Sequence, residues 1–139
     1  MAQFKIERLK WGNDETGFDY CISISKIVFE KDETEIVLPS HYEGEPITHV
    51  GYVQDYTPAH EHWHDWHHPS QGSEWVPEKY SYSGATIFVP KSLKKLIVPA
   101  TVTNFCDYAF ENIDKVMIEV DPENTVYCSG KGQIKNKRR

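Results

Sequence analysis

The sequence predicts a short solenoid of stacked parallel strands, in the α/β or mostly-β class. A short apolar run that ends at a proline recurs as "IVLP" (36–39), "TIFVP" (86–90) and "LKKLIVP" (93–99). An offset of 22 residues aligns Leu96 with Ile118 and Val98 with Val120. A period of about 20–25 residues is typical of solenoids, whose strands are too short to be stable alone and stack on their neighbours.

The 139 residues predict one domain with four parts. Residues 1–35 form an N-terminal cap, in which "FDYCISISKIVFE" (18–30) is rich enough in Ile and Val for one or two strands. Residues 36–58 form a first repeat and residues 86–139 hold further repeats and a C-terminal cap. Between them, residues 59–85 form an excursion that contains no Leu or Ile and is therefore surface rather than core.

Each repeat carries a turn and an aromatic segment after its proline. Proline ends the strand because it cannot donate to the ladder, so the chain turns outward. The segment "DYAFENI" (107–113) is a poor strand and predicts a single helical turn. Its Tyr108 and Phe110 would pack onto the back of the parallel sheet.

The C-terminal segment predicts a hairpin that caps the last strand. Gly130 and Gly132 allow a tight turn between the arms "TVYC" (125–128) and "QIKN" (133–136). The basic side chains of this segment would blunt the exposed edge by charge. They are Lys131, Lys135, Lys137, Arg138 and Arg139. With both ends capped, we expect no polymers formed through strand edges.

Composition excludes several classes of protein. The net charge of −6 argues against nucleic-acid binding. No stretch is apolar enough to cross a membrane. The N-terminus lacks the apolar run of a secretory signal, which predicts a cytoplasmic protein unless a signal has been removed. Cys21, Cys106 and Cys128 are widely spaced and odd in number, so we expect buried thiols and no disulfide framework.

Three segments share a short apolar strand, a proline and a turn. They are "IVLPSHYEGEPITHVG" (36–51), "VPATVTNFCDYAFENI" (98–113) and "IEVDPENTVYCSGKGQIKNK" (118–137). Together they resemble the BspA-type leucine-rich repeats of bacteria. In this sequence Asn104-Phe105-Cys106 departs from the family's usual T-S-I-G. The resemblance implies a leucine-rich-repeat-type solenoid without catalytic machinery that binds other proteins. Members of that family are often surface or secreted proteins.

The excursion concentrates metal-binding side chains. Five of the seven histidines fall in "HEHWHDWHHP" (60–69). They are His60, His62, His64, His67 and His68. If this stretch is extended, the first three point to one side, whereas a helix would group His60, His64, His67 and His68. Imidazoles suit zinc, nickel or copper, so a transition-metal protein is the alternative function; the other interpretation is a solvated loop.

The aromatic residues of the excursion favour a non-enzymatic protein-interaction module of the leucine-rich-repeat type with an unknown partner. No catalytic motif is present, and tyrosines in such number more often line a binding face than an active site. The candidate contact residues are Tyr56, Trp63, Trp66, Trp75, Tyr80 and Tyr82. Packing of the tryptophans onto the body is the alternative, and a homodimer through the excursion is left open.

Overall fold

The computed structural model describes residues 2–63 and 72–137, and their regular structure is made of strands. The first nine strands are β1 Gln3–Asn13, β2 Gly17–Val28, β3 Glu35–Val37, β4 His41–Tyr42, β5 Glu45–Pro46, β6 His49–Val50, β7 Tyr52–Thr57, β8 His60–Trp63 and β9 Ser73–Val76. The next nine are β10 Lys79–Gly84, β11 Ile87–Phe88, β12 Lys95–Val98, β13 Asn104–Phe105, β14 Phe110–Glu111, β15 Met117–Val120, β16 Tyr127–Cys128, β17 Gly130–Lys131 and β18 Lys135–Asn136. The described part of the chain has no helix long and apolar enough to span a membrane.

The largest sheet has six strands in the order β13-β6-β2-β1-β10-β7. Its longest pairing is the antiparallel hairpin of β1 and β2, whose turn is closed by Asn13: the Oδ1 atom accepts the N–H groups of Glu15 and Thr16 at 2.9 Å each. The sheet is strongly curled. Although β1 and β10 lie between β2 and β7 in the strand order, Ser23 Oγ on β2 donates to Tyr52 O on β7 at 3.0 Å.

A second sheet has the order β17-β15-β12-β3. Strands β3, β12 and β15 of this sheet run parallel. In their register, Leu96 on β12 lies between Ile36 on β3 and Ile118 on β15. Leu96 and Ile118 are therefore neighbours at the predicted offset, as are Val98 and Val120. Three further parallel contacts, β2 with β6, β6 with β13 and β11 with β14, are only two residues long.

The core lies between these sheets. Nine side chains of this apolar cluster have less than 2 % of their surface exposed. They are Ile24, Leu38, Ile47, Val50, Leu96, Val98, Val102, Val116 and Ile118. Burying each such side chain stabilises the fold by about 1.5–3 kcal/mol.

The prediction of a parallel-strand solenoid is wrong. The parallel ladder extends over only three strands and ends against the antiparallel β17, and the largest sheet is mixed. The α/β alternative also fails, since the described residues form no helix. In "DYAFENI" the expected helical turn is replaced by β14, because Ile87 N donates to Ala109 O at 2.7 Å and Val89 N donates to Glu111 O at 3.0 Å. The carbonyl groups of Ala109 and Glu111 therefore accept hydrogen bonds from a neighbouring segment and are not available to a helix.

Both chain ends cover strands. β2 pairs in parallel with β6 through Ser23 and Ile24. At the other end, the arms of the predicted C-terminal hairpin do pair, as β16 with β18, and the segment between them adds β17 to the edge of β15. The four-stranded sheet therefore ends at β17 on this side.

Residues 52–84, which take in the end of the predicted first repeat and nearly all of the excursion, form a long antiparallel hairpin rather than a loop, as far as the described residues reach. β7 pairs with β10 from Tyr52–Gly84 to Thr57–Lys79, and β8 pairs with β9 beyond that. Pro58 and Pro77 lie between the two ladders, where a missing N–H interrupts pairing. The chain leaves the body at Gly51 and returns at Ala85, whose N–H donates to Gly51 O at 2.7 Å.

Candidate functional site

The distal arm, which we define as β8 and β9, is the outer part of this hairpin. Its two strands form a sheet of their own, with pairs from His60–Val76 to Trp63–Ser73. Trp75 exposes 68 % of its surface there. Isolated two-stranded ribbons are only marginally stable in water. Because the Trp75 ring is mostly exposed, it contributes little to the stability of the arm itself.

The backbone of β8 settles one alternative for its first residues. Because β8 is extended, His60 and His62 point to one side and Glu61 to the other. His62 is paired directly with Glu74, and Glu61 accepts a hydrogen bond from Ser73 Oγ. His60 Nδ1 lies 2.9 Å from Pro58 O, which fixes its ring against the start of the arm.

Three of the five predicted metal ligands are not part of the described structure. His64, His67 and His68 lie outside the described residues, so the five-histidine site is not tested as a unit. Among the side chains that are described, no group of three His, Cys, Asp or Glu residues has the geometry to hold a metal ion. His60 and His62 alone supply two imidazoles on one side of a strand.

The aromatic root, defined here as the rings where β7 and β10 join the body, anchors the hairpin. Tyr82 packs edge-on against Trp11 and Tyr52, with ring centroids 5.4 and 5.2 Å apart. Tyr80 packs against Phe18 at 5.9 Å and against Tyr56 at 4.7 Å. Such ring pairs contribute about 0.5–1.5 kcal/mol each beyond the area they bury.

Two polar side chains join the root to β1. Lys10 Nζ lies 4.1 Å from the Phe18 ring centroid and 4.3 Å from that of Tyr80, a cation–π arrangement. Gln54 Oε1 accepts the Lys10 N–H at 2.8 Å, and its Nε2 donates to Lys10 O and Ser81 O at 2.8 Å each. The Gln54 amide thus bonds to β1 and β10 as a backbone peptide would.

His49 is the titratable group at the centre of the root. It is 8 % exposed, its ring lies 5.5 Å from Tyr52 and 5.6 Å from Tyr82, and its Nδ1 is 2.7 Å from Thr48 Oγ1. Burial lowers the pKa of His49 below its ordinary value. Burial, followed by the field of Cys106, raises the pKa of Tyr52. Burial here therefore favours the neutral forms of His49 and Tyr52.

The three cysteines are free thiols. Burial raises the pKa of Cys21 to about 11, so its thiol is protonated at neutral pH and is a poor nucleophile. Cys106 is buried beside Gly84, where an added Cβ would lie 2.4 Å from its Sγ. The surroundings of Cys21 and Cys106 are therefore those of thiols with a packing role rather than a reactive one.

The predicted contact residues separate into three groups. Trp75 and Tyr56 are exposed, the latter at 49 %, whereas Tyr80 and Tyr82 are half-buried in the aromatic root. Trp66 and the side chain of Trp63 lie outside the described residues. As contact residues all six stay predictions.

Sequence reasoning missed the residues that hold the hairpin in place. Trp11, Gln54 and His49 come from three different strands, and nothing in their local sequence links them. One signal was available: His49 stands in "ITHVGYV" (47–53), an apolar run in which a histidine is usually buried.

Comparison with protein-family models, with curated proteins and with solved structures finds no match for this chain. The resemblance to bacterial BspA-type repeats therefore stays a prediction.

Proposed function

We propose that this protein is a non-enzymatic protein-interaction module that binds its partner through the distal arm. The observation that carries the proposal is the 68 % exposure of Trp75 on a sheet that, among the described residues, consists of β8 and β9 alone. Tryptophan is among the residues that contribute most to protein interfaces, because it buries a large area at a small cost in side-chain entropy.

The root of the hairpin supports this role by fixing the direction of the arm. Tyr82 and Tyr80 are held by ring contacts to β1 and β2, and Gln54 is bonded to Lys10. A binding element on a fixed base loses less conformational entropy when it associates than a mobile loop does.

The charges beside the exposed rings indicate the kind of partner. Tyr56 donates its hydroxyl hydrogen to Glu78 Oε2 at 2.9 Å, and Glu61 lies on the strand opposite Trp75. Carboxylates beside exposed aromatic faces favour a basic partner, whose cations meet both the negative charge and the ring faces.

Site-specific photo-crosslinking from position 61 in the full chain tests the proposal, because Glu61 lies opposite Trp75 in the distal arm. We expect a discrete crosslinked partner, whose recovery falls at least about tenfold for Trp75→Ala, the loss expected for a residue at the centre of an interface. Phe88→Ala is the matched control, since Phe88 is 67 % exposed on β11. Equal recovery from both variants would contradict an interface centred on the arm.

Transition-metal binding is the second candidate function, favoured by the placement of His60 and His62 on one side of β8. We propose that any such site takes zinc, nickel or copper, which neutral imidazoles prefer. Elemental analysis of untagged protein purified without chelating resin gives the test: a stoichiometric metal that is lost in His60→Ala but kept in His41→Ala supports it. Metal-free protein removes this candidate.

A further inference from the structure

A cleft of about 280 Å³ lies at the C-terminal end of the body, remote in sequence from the distal arm. One wall is formed by the segment from β13 to β15 and the other by the C-terminal hairpin.

The walls of the cleft are apolar surface that the fold leaves partly uncovered. Five hydrophobic residues that pack against the core without being fully buried meet here. They are Phe105, Phe110, Ile113, Tyr127 and Ile134. Buried Ala109 and Ile118 form the floor. Because apolar surface of this kind gains free energy when water leaves it, the cleft favours an apolar body.

The aromatic rings of the two walls pack against one another, and a hydrogen bond joins the walls. Phe105 N donates to Tyr127 Oη at 3.0 Å, and the Phe105 ring lies 5.2 Å from that of Tyr127 and 5.9 Å from that of Phe110. A ligand therefore meets a preformed aromatic surface and does not have to order it.

The mouth of the cleft carries a carboxylate. Asp107, Gln133 and Asn136 line it and are exposed, and Asp107 is the single carboxylate among the described lining residues. These described lining residues include no lysine or arginine. The complement of an apolar cleft with a carboxylate at its mouth is an apolar body that carries one positive charge.

We propose that this cleft is a binding site for a small organic amine, with its aromatic or aliphatic body between Phe105, Phe110 and Ile134 and its ammonium group at Asp107. Pockets for drug-sized ligands measure about 300–1,000 Å³, so the volume here fits a single ring with a short aminoalkyl group. The site is separate from the distal arm, and its occupation is independent of the proposed function.

Titration of the full chain with benzylamine, followed by amide chemical shifts, tests the proposal. Benzyl alcohol and benzoate are the neutral and anionic probes of the same shape. We expect saturable shifts for benzylamine at residues 105–113 and 132–136. Because Asp107 is exposed, benzyl alcohol should bind only about two- to fivefold more weakly, and benzoate more weakly still.

Variants separate the charge from the cavity. Asp107→Asn should reduce the affinity for benzylamine to that for benzyl alcohol, whereas Asp55→Asn, an exposed carboxylate on β7, should change nothing. Gln133→Trp, a change at an exposed position of the mouth, should abolish binding of all three probes. Equal binding of the three probes, or unchanged benzylamine affinity in Asp107→Asn, overturns the recognition of an amine. Absence of saturable shifts at these residues overturns the site.

Discussion

Replacement of Gln54 by leucine tests whether a side-chain amide joins the hairpin to the body. In the native protein the amide oxygen accepts the Lys10 N–H at 2.8 Å, and the two hydrogens of Nε2 are shared among the carbonyls of Lys10, Asp55 and Ser81 at 2.8–2.9 Å. Leucine is an apolar residue of comparable size and can make none of these bonds. The substitution also leaves the Lys10 N–H and carbonyl, which are partly buried, without these partners.

The magnitude follows from the number of bonds. A hydrogen bond of this kind contributes about 0.5–1.5 kcal/mol net, and an unpaired buried group costs about 1–3 kcal/mol. Three N–H groups take part, two of the amide and one of Lys10, and they are partly open to water, so the expected loss is about 2–4 kcal/mol. Because small domains have a total stability of only about 5–15 kcal/mol, the loss is a large fraction of the whole.

Urea denaturation measures this loss directly. For an m value of about 1.5 kcal/mol/M, the midpoint should fall by roughly 1.5–2.5 M. Hydrogen exchange at the Lys10 amide should accelerate, since its partner Gln54 Oε1 is removed. Gln3→Leu on exposed β1 surface is the control and should be nearly neutral. A midpoint for Gln54→Leu within error of wild type would refute the inference that the amide joins β1 to β10.

Three further predictions concern the body of the protein. Because burial lowers the pKa of His49, the folded state binds fewer protons than the unfolded state. The free energy of unfolding should therefore decline as the pH falls below 6.5, the pKa of histidine in the unfolded chain. If the urea midpoint of a His49→Gln variant shows the same decline between pH 7 and 5, the decline belongs to other groups. Asn124→Ala should cost about 2–3 kcal/mol, because this fully buried amide donates to Pro99 O and Val102 O and accepts two N–H groups, while Asn104→Ala at an exposed site should cost little in the same urea assay. Deletion of residues 126–139 removes β17 from the edge of β15, so light scattering should show growth beyond a dimer; a truncated protein that stays small and soluble would contradict the capping role of this segment.

The register of the parallel ladder could be predicted because apolar periodicity reports which residues are buried together. Leu96 and Ile118 occupy equivalent places in two strands that both face the core, and their equivalence is visible in the sequence. The same reasoning extended the ladder into a solenoid, which is wrong. It carried no information on β1, whose neighbours β2 and β10 are chosen by long-range contacts rather than by a repeat.

The hairpin of residues 52–84 could not be predicted from the sequence for a different reason. Its strand β7, "YVQDYT", contains one aliphatic residue, so it lacks the alternation that predicts a half-buried strand. Its pairing with β10 is supported by rings packed across strands, as for Tyr56 and Tyr80, and by the Gln54 amide. Such contacts depend on three-dimensional placement, so the sequence alone favoured a loop.

The hydrogen bond between Ala85 N and Gly51 O brings the two ends of the hairpin together at one point of the body. A segment whose ends already meet can be lengthened, shortened or exchanged at its outer part with little effect on the path of the chain elsewhere. The outermost pair of the root, Thr57 and Lys79, marks where such an exchange would leave the aromatic anchors intact. The body could therefore serve as a scaffold on which different recognition hairpins are grafted, with β7 and β10 as the common stem.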